Sequence, residues 1–150
     1  MSAGRVIVQE APFEPADVLR DFARGRGDVG AVVSFTGLVR DADAGPLVTM
    51  QIEHYPGMTE RAIGRMVETA IRRWSLADCL VIHRHGEMRK GEVIMMVATA
   101  ARHRADAFAA AEFLMDYLKS RAPFWKKELT EDGAEWVAAK EADEEALRRW

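Results

Sequence analysis

Cysteine is nearly absent from this chain of 150 residues; Cys79 is the only one. It cannot close an internal disulfide, and a lone thiol cannot build a thiolate metal cage. Within the apolar stretch DCLVIH a free cysteine behaves as a small hydrophobe, so a buried core thiol is expected, with a sulfur-relay role as the alternative. No apolar run approaches the roughly 18–20 residues that cross a bilayer. The opening MSAGRVIVQE meets an acid too soon for a signal-peptide apolar region, so a soluble, cytoplasmic protein is expected, with no membrane role. Repeats, low-complexity tracts and Pro/Gly/Ser-rich linkers are missing, which leaves one domain over residues 1–150. Nucleophile elbows, P-loops, dinucleotide glycine fingerprints and CxxC pairs are missing too. His83-x-His85 would place two imidazoles on one strand face, but no third ligand accompanies them. A hydrogen-bonded structural pair is the better reading there, and neither a metal nor a cofactor is expected.

What is present begins with uneven charge. The net charge of −3 argues against a general nucleic-acid binder. From Arg102 to Lys127 six Lys/Arg face three Asp/Glu, a net of +3, whereas from Glu128 to Trp150 eight acids face three bases, a net of −5. A local basic stretch in an acidic protein suits a small anionic ligand better than a long polyanion. An ordinary solvated helix face would give the same count, and charge alone favours it.

Hydrophobic spacing then sets out the elements. Arg5–Gln9 reads as a short strand, and Pro15 to Arg24 as a helix that stops at GRG. Gly30–Arg40 (GAVVSFTGLVR) is a strand with Gly37 as a bulge or close-approach point. DADAGP is a turn, and Leu47–Tyr55 alternates as a paired antiparallel strand should. Thr59 and Glu60 open a helix with a hydroxyl cap and a first-turn acid, and its stripe runs through Ile63, Val67, Ala70 and Trp74. Cys79–His85 and Glu92–Ala101 are strands joined by the turn-like GEMRKG, followed by a helix from Arg104 to Lys119 that Pro123 terminates. Phe124–Thr130 is a strand turning at Asp132-Gly133 into Trp136-Val137, and Ala142–Arg149 is a closing helix. Strands joined by short turns and mixed with helices indicate an α+β fold rather than a doubly wound parallel sheet.

Reactive polar groups occur in three places where core logic does not ask for them. Arg40 ends an otherwise apolar strand, and His103-Arg104 stand at a helix start, whose outward N–H groups favour an anion. The third place is KSRAPFWKKE, residues 119–128. Pro123 biases Ala122 away from helix, so the chain turns there. Such a turn could bring Lys119 and Lys126 to one cavity walled by Phe124 and Trp125. Closely placed ammonium groups in a partly dry site lower a lysine pKa, which suits a base or a nucleophile. From spacing alone an equally good reading has Lys119 complementing the helix C-terminus, with Lys126 and Lys127 as solvated strand residues.

VVSFTGLVR, IEHYPGMTE, VIHRHGE, AARHRADAF and FLMDYLKSRAPFWKKE, in that order, resemble the molybdopterin synthase large-subunit family, over about Val6 to Trp150. The resemblance implies an α/β hammerhead-type fold with a mixed, largely antiparallel sheet. It implies a sulfurtransferase that converts cyclic pyranopterin monophosphate to the dithiolene of molybdopterin, in molybdenum cofactor biosynthesis. The sulfur donor would be a small ubiquitin-like subunit with a C-terminal Gly-Gly thiocarboxylate. Because this chain does not end in Gly-Gly, that donor is expected to be a separate protein, in a heterotetramer built on a homodimer of the large subunit. By position, Lys119 and Lys126 match the family's active-site lysines, and Arg40, His103, Arg104 and Lys127 its substrate-binding positions. Leu38 and Lys140 depart from residues common in relatives, a basic side chain and an arginine respectively. The alternative is a non-catalytic relative that only binds the ubiquitin-like partner.

Overall fold

The computed structural model describes residues 4–43, 45–137 and 141–150. The elements in order are β1 (Gly4–Gln9), α1 (Pro15–Asp21), β2 (Ala31–Leu38), β3 (Leu47–His54), α2 (Met58–Trp74), β4 (Asp78–Arg84) and β5 (Gly86–Met88). They continue with β6 (Val93–Ala101), α3 (Arg104–Ser120), β7 (Phe124–Thr130), β8 (Gly133–Trp136), α4 (Glu141–Ala146) and a closing 3-10 turn, Leu147–Arg149. The fold is α+β, with two four-stranded sheets in the orders β1-β4-β6-β2 and β5-β3-β7-β8. Among the described residues only β1 and β4 pair in parallel; the other strand pairings are antiparallel.

β4 and β6 are almost continuously buried because both faces of the first sheet are covered. On one face Ile63, Val67 and Ala70 of α2, with Ala107, Ala110 and Leu114 of α3, close over Cys79, Val81, Val97 and Ala101. On the other face, Leu80, Ile82, Met96 and Ala98 meet Phe22, with Val18 and Leu19 of α1 alongside. The expected core thiol is thus found; burial pushes the Cys79 thiol up to about 12, which leaves it an inert hydrophobe.

Several details differ from the sequence reading. β3 is an antiparallel strand, but it leaves its chain neighbour β2 and pairs with β7 and β5 in the second sheet. GEMRKG is more than a turn: Gly86, at φ 94°, redirects the chain, and Gly86–Met88 becomes an edge strand with Met88 fully buried. Three residues are too few for a period to register. Thr59 is not the cap of α2, which starts at Met58. The Gly57 N–H donates to the Glu60 carboxylate at 2.6 Å, and the Thr59 hydroxyl donates to the Tyr55 carbonyl at 2.9 Å. The departure noted at Lys140 lies outside the described residues.

Gly37 does sit at a bulge, where the β2–β6 register shifts between Gly37 and Leu38. Gly30 has a different reason. Its N–H donates to the Ala101 carbonyl at 3.0 Å, and a methyl added to it would overlap the carbonyl oxygen of Arg102. Gly30→Ala must therefore displace main chain and should cost about 2 kcal/mol. Gly64→Ala, in α2 with open space around it, should stabilise by about 0.5–1 kcal/mol. Urea unfolding of both variants checks the pair; equal midpoints would contradict the close approach at Gly30.

Candidate active site

The turn between α3 and β7 builds the site. α3 closes with the Arg121 N–H donating to the Tyr117 carbonyl at 2.7 Å, and Pro123 then hands the chain to β7 at Phe124. Lys119 on the last turn of α3 and Lys126 on β7 consequently face one cavity of about 370 Å³. Arg40 reaches its rim from the segment after β2, while Gly37, Met95 and Met115 supply apolar wall. Arg40 is held by its own loop, donating to the Asp41 carbonyl at 2.8 Å and to the Asp43 carboxylate at 3.1 Å. A larger cavity, about 520 Å³, is lined by Asp43, Glu128, Asp132 and Glu135, and by no basic residue among the described residues, which is the wrong sign for a phosphate ligand.

His83 of β4 also lines the lysine cavity. It is 5% exposed, its ring stacks on Phe124 at 3.7 Å between centroids, and its Nδ1 lies 2.7 Å from the Arg84 carbonyl. A carbonyl only accepts, so Nδ1 carries the proton and Nε2 keeps its lone pair. Burial pushes the imidazole down to about 3, and the Lys126 and Lys119 ammonium groups push the same way, so the ring is neutral around pH 7. The pair expected between His83 and His85 does not form; His85 packs on His54 instead, ring to ring at 4.3 Å. Burial first, and then the charge of His85, lowers the His54 pKa. Among the described residues no group of three His, Cys, Asp or Glu side chains could hold a metal ion.

Residues 8–121 match the family model described as MoaE protein. The chain belongs to the MoaE family. It is 67% identical over 146 residues to the molybdopterin synthase catalytic subunit of Cereibacter sphaeroides, covering 97% of this chain and 99% of that one. Among solved structures, the molybdopterin biosynthesis MoaE protein of Burkholderia ambifaria is 44% identical with a TM-score of 0.83, covering 98% of this chain and 97% of that one. A protein–protein complex of subunits 1 and 2 of molybdopterin-converting factor from Helicobacter pylori shares the fold, at 19% identity and a TM-score of 0.71, with 93% and 92% covered.

This MoaE-family chain does not bring every expected site residue together. Lys119, Lys126 and Arg40 share the cavity. His103 and Arg104 are exposed at the opposite end of α3, some 16 residues or about 24 Å from Lys119 along the helix axis. Lys127, one residue out of phase with Lys126, leans over the Trp136 ring at 5.5 Å. His83 is the residue that sequence reasoning missed. Its only signal was a polar ring directly after the apolar run Cys79–Ile82, and a metal pair or a structural pair absorbs that signal as readily.

Proposed function

We propose that the chain is the catalytic subunit of molybdopterin synthase, moving sulfur from the thiocarboxylated Gly-Gly tail of a small ubiquitin-like subunit to cyclic pyranopterin monophosphate. The observation that carries this reading is the convergence of Lys119, Lys126 and Arg40 on one largely apolar cavity in a chain with these relatives. The complex of two subunits in the Helicobacter pylori protein is in keeping with a separate partner subunit. Cationic groups suit the phosphate, the thiocarboxylate and the charge that develops as sulfur attacks the pterin side chain. In this scheme each sulfur bonds to a substrate carbon as an oxygen leaves it, one as the opened cyclic phosphate ester and one as water; water then cleaves each acyl–sulfur bond, and each tail leaves as a carboxylate. Lys119 works beside the acyl carbonyl, and Lys126 holds the anion or assists proton transfer. The deciding experiment is conversion of the precursor by this chain with thiocarboxylated small subunit; no dithiolene product would end the proposal.

His103 and Arg104 are too far along α3 to serve Lys119 of their own chain, so in this reading they serve the cavity of a second copy. β2 is an edge strand of its sheet; Phe35 and Leu38, 41% and 56% exposed, line the cavity, and Phe108, 62% exposed, lines an adjoining groove with Phe35. Such a face supports a homodimer. Lys119→Ala and His103→Ala should each be inactive alone. Mixed after subunit exchange, half of the dimers are hybrid and each regains one intact site, so about a quarter of wild-type turnover should return. No recovery in a mixture shown by mass spectrometry to contain hybrids would refute the shared site.

A further inference from the structure

His83 has a geometry that packing alone does not require. Its ring is held in two ways: Phe124 stacks on one face, and Nδ1–H donates to the Arg84 carbonyl. The unprotonated Nε2 is the only polar atom left to the ring, and the residue lines the lysine cavity. Phe124 and Lys126 are two apart on β7 and so share a face of the second sheet, roughly 7 Å apart along the strand. A lysine side chain spans that distance back to the ring that Phe124 carries.

We propose that His83 is a positioning residue for Lys126, its Nε2 accepting a hydrogen bond from the Nζ ammonium and so aiming that charge into the cavity. A neutral acceptor can do this without removing the charge, whereas a carboxylate would cancel the field that attracts an anion. Phe124 keeps the ring planar to the cavity wall, and the Arg84 carbonyl keeps it in the tautomer with Nε2 free to accept. Both sheets are thereby joined at the site, since β4 supplies the acceptor and β7 the donor. The charged and titratable groups around the pair are Lys119 from α3, Arg40 from the segment after β2, His54 from β3, and His85 beyond β4. Met95 of β6 and Val8 of β1, the strand neighbours of His83, carry no charge.

The catalytic consequence rests on the proposed synthase reading, but the hydrogen bond can be tested without it. In 15N-labelled protein, the His83 ring should show a protonated Nδ1 and an unprotonated, hydrogen-bonded Nε2, unchanged from pH 5.5 to 8.5. Lys126→Ala should shift the Nε2 resonance, and Lys127→Ala should leave it in place. A proton on Nε2, titration within that range, or indifference to Lys126→Ala would each overturn the proposal. In the synthase assay His83→Phe keeps the stack but removes the acceptor. It should lower kcat by about tenfold, the worth of one hydrogen bond to a charged group. The alkaline limb of its rate profile should also move to lower pH, because the ammonium form has lost a partner. His83→Gln returns an acceptor near the Nε2 position and should recover most of kcat and the original limb. Wild-type kcat and limb in His83→Phe, or equal losses in both variants with limbs unmoved, would assign His83 to packing alone. A wild-type protein inert with the thiocarboxylated partner would sink the synthase reading while leaving the resonance tests to decide the contact.

Discussion

Lys119→Ala should reduce dithiolene formation by about 10²–10⁴-fold, the range for losing one positioned proton-transfer or charge-stabilising group. Affinity for the small subunit should change little, because one side chain is a small part of an interface of ordinary size. Lys119 stands on the last turn of α3, where its backbone is anchored by the core that Leu114 and Leu118 fill. Truncating its exposed end should leave that core intact, so melting temperature is not expected to fall by more than a degree or two. Single-turnover assays with pre-loaded partner separate chemistry from binding. Turnover within about threefold of wild type would remove Lys119 from the mechanism.

A second large effect concerns acid stability. His83 stays neutral when folded, with a pKa of about 3, against 6.5 for an ordinary histidine. Below pH 6.5 the unfolded chain therefore binds a proton that the folded chain refuses, and stability falls as pH falls, down to about 3. For one full proton the slope approaches about 1.4 kcal/mol per pH unit. Between pH 6.5 and 5 this residue alone should remove about 1–2 kcal/mol, out of a total of about 5–15 kcal/mol. Carboxylates held low by hydrogen bonds, such as Asp41 to the Leu47 N–H and Glu92 to the Arg89 N–H, lose their contribution at lower pH still. The window from 6.5 to 5 thus isolates histidine, with His54 adding in the same direction. His83→Phe should start less stable at pH 7, because the Arg84 carbonyl loses its donor, yet show a flatter pH dependence. Urea midpoints for both proteins at pH 7 and 5 measure this; parallel slopes would mean that the ring titrates when folded.

The long periodic elements were legible in the residues themselves. α2 and α3 carry apolar stripes over several turns, and each is found within a residue or so of where the spacing puts it. Pro123 between Lys119 and Lys126 was enough to anticipate a turn with both lysines near it. Short and non-local features were not legible. β5 is three residues long, and the choice of β7 over β2 as partner for β3 leaves no trace in the alternation of β3. The stretch HRHGE carries no mark that separates His83, stacked in the cavity wall, from His85, packed on His54.

Residue order alone determined which of the longer segments are helical or extended, and which side chains are reactive. These depend on neighbours a few positions away, through backbone sterics and the spacing of apolar groups. Tertiary structure alone decided which of those reactive groups meet. It folded β7 back so that Lys126 faces Lys119, left His103 and Arg104 a helix length away, and buried His83 between two sheets in a neutral form. Distance and desolvation are properties of segments remote in the chain, so they exist only once the sheets have assembled.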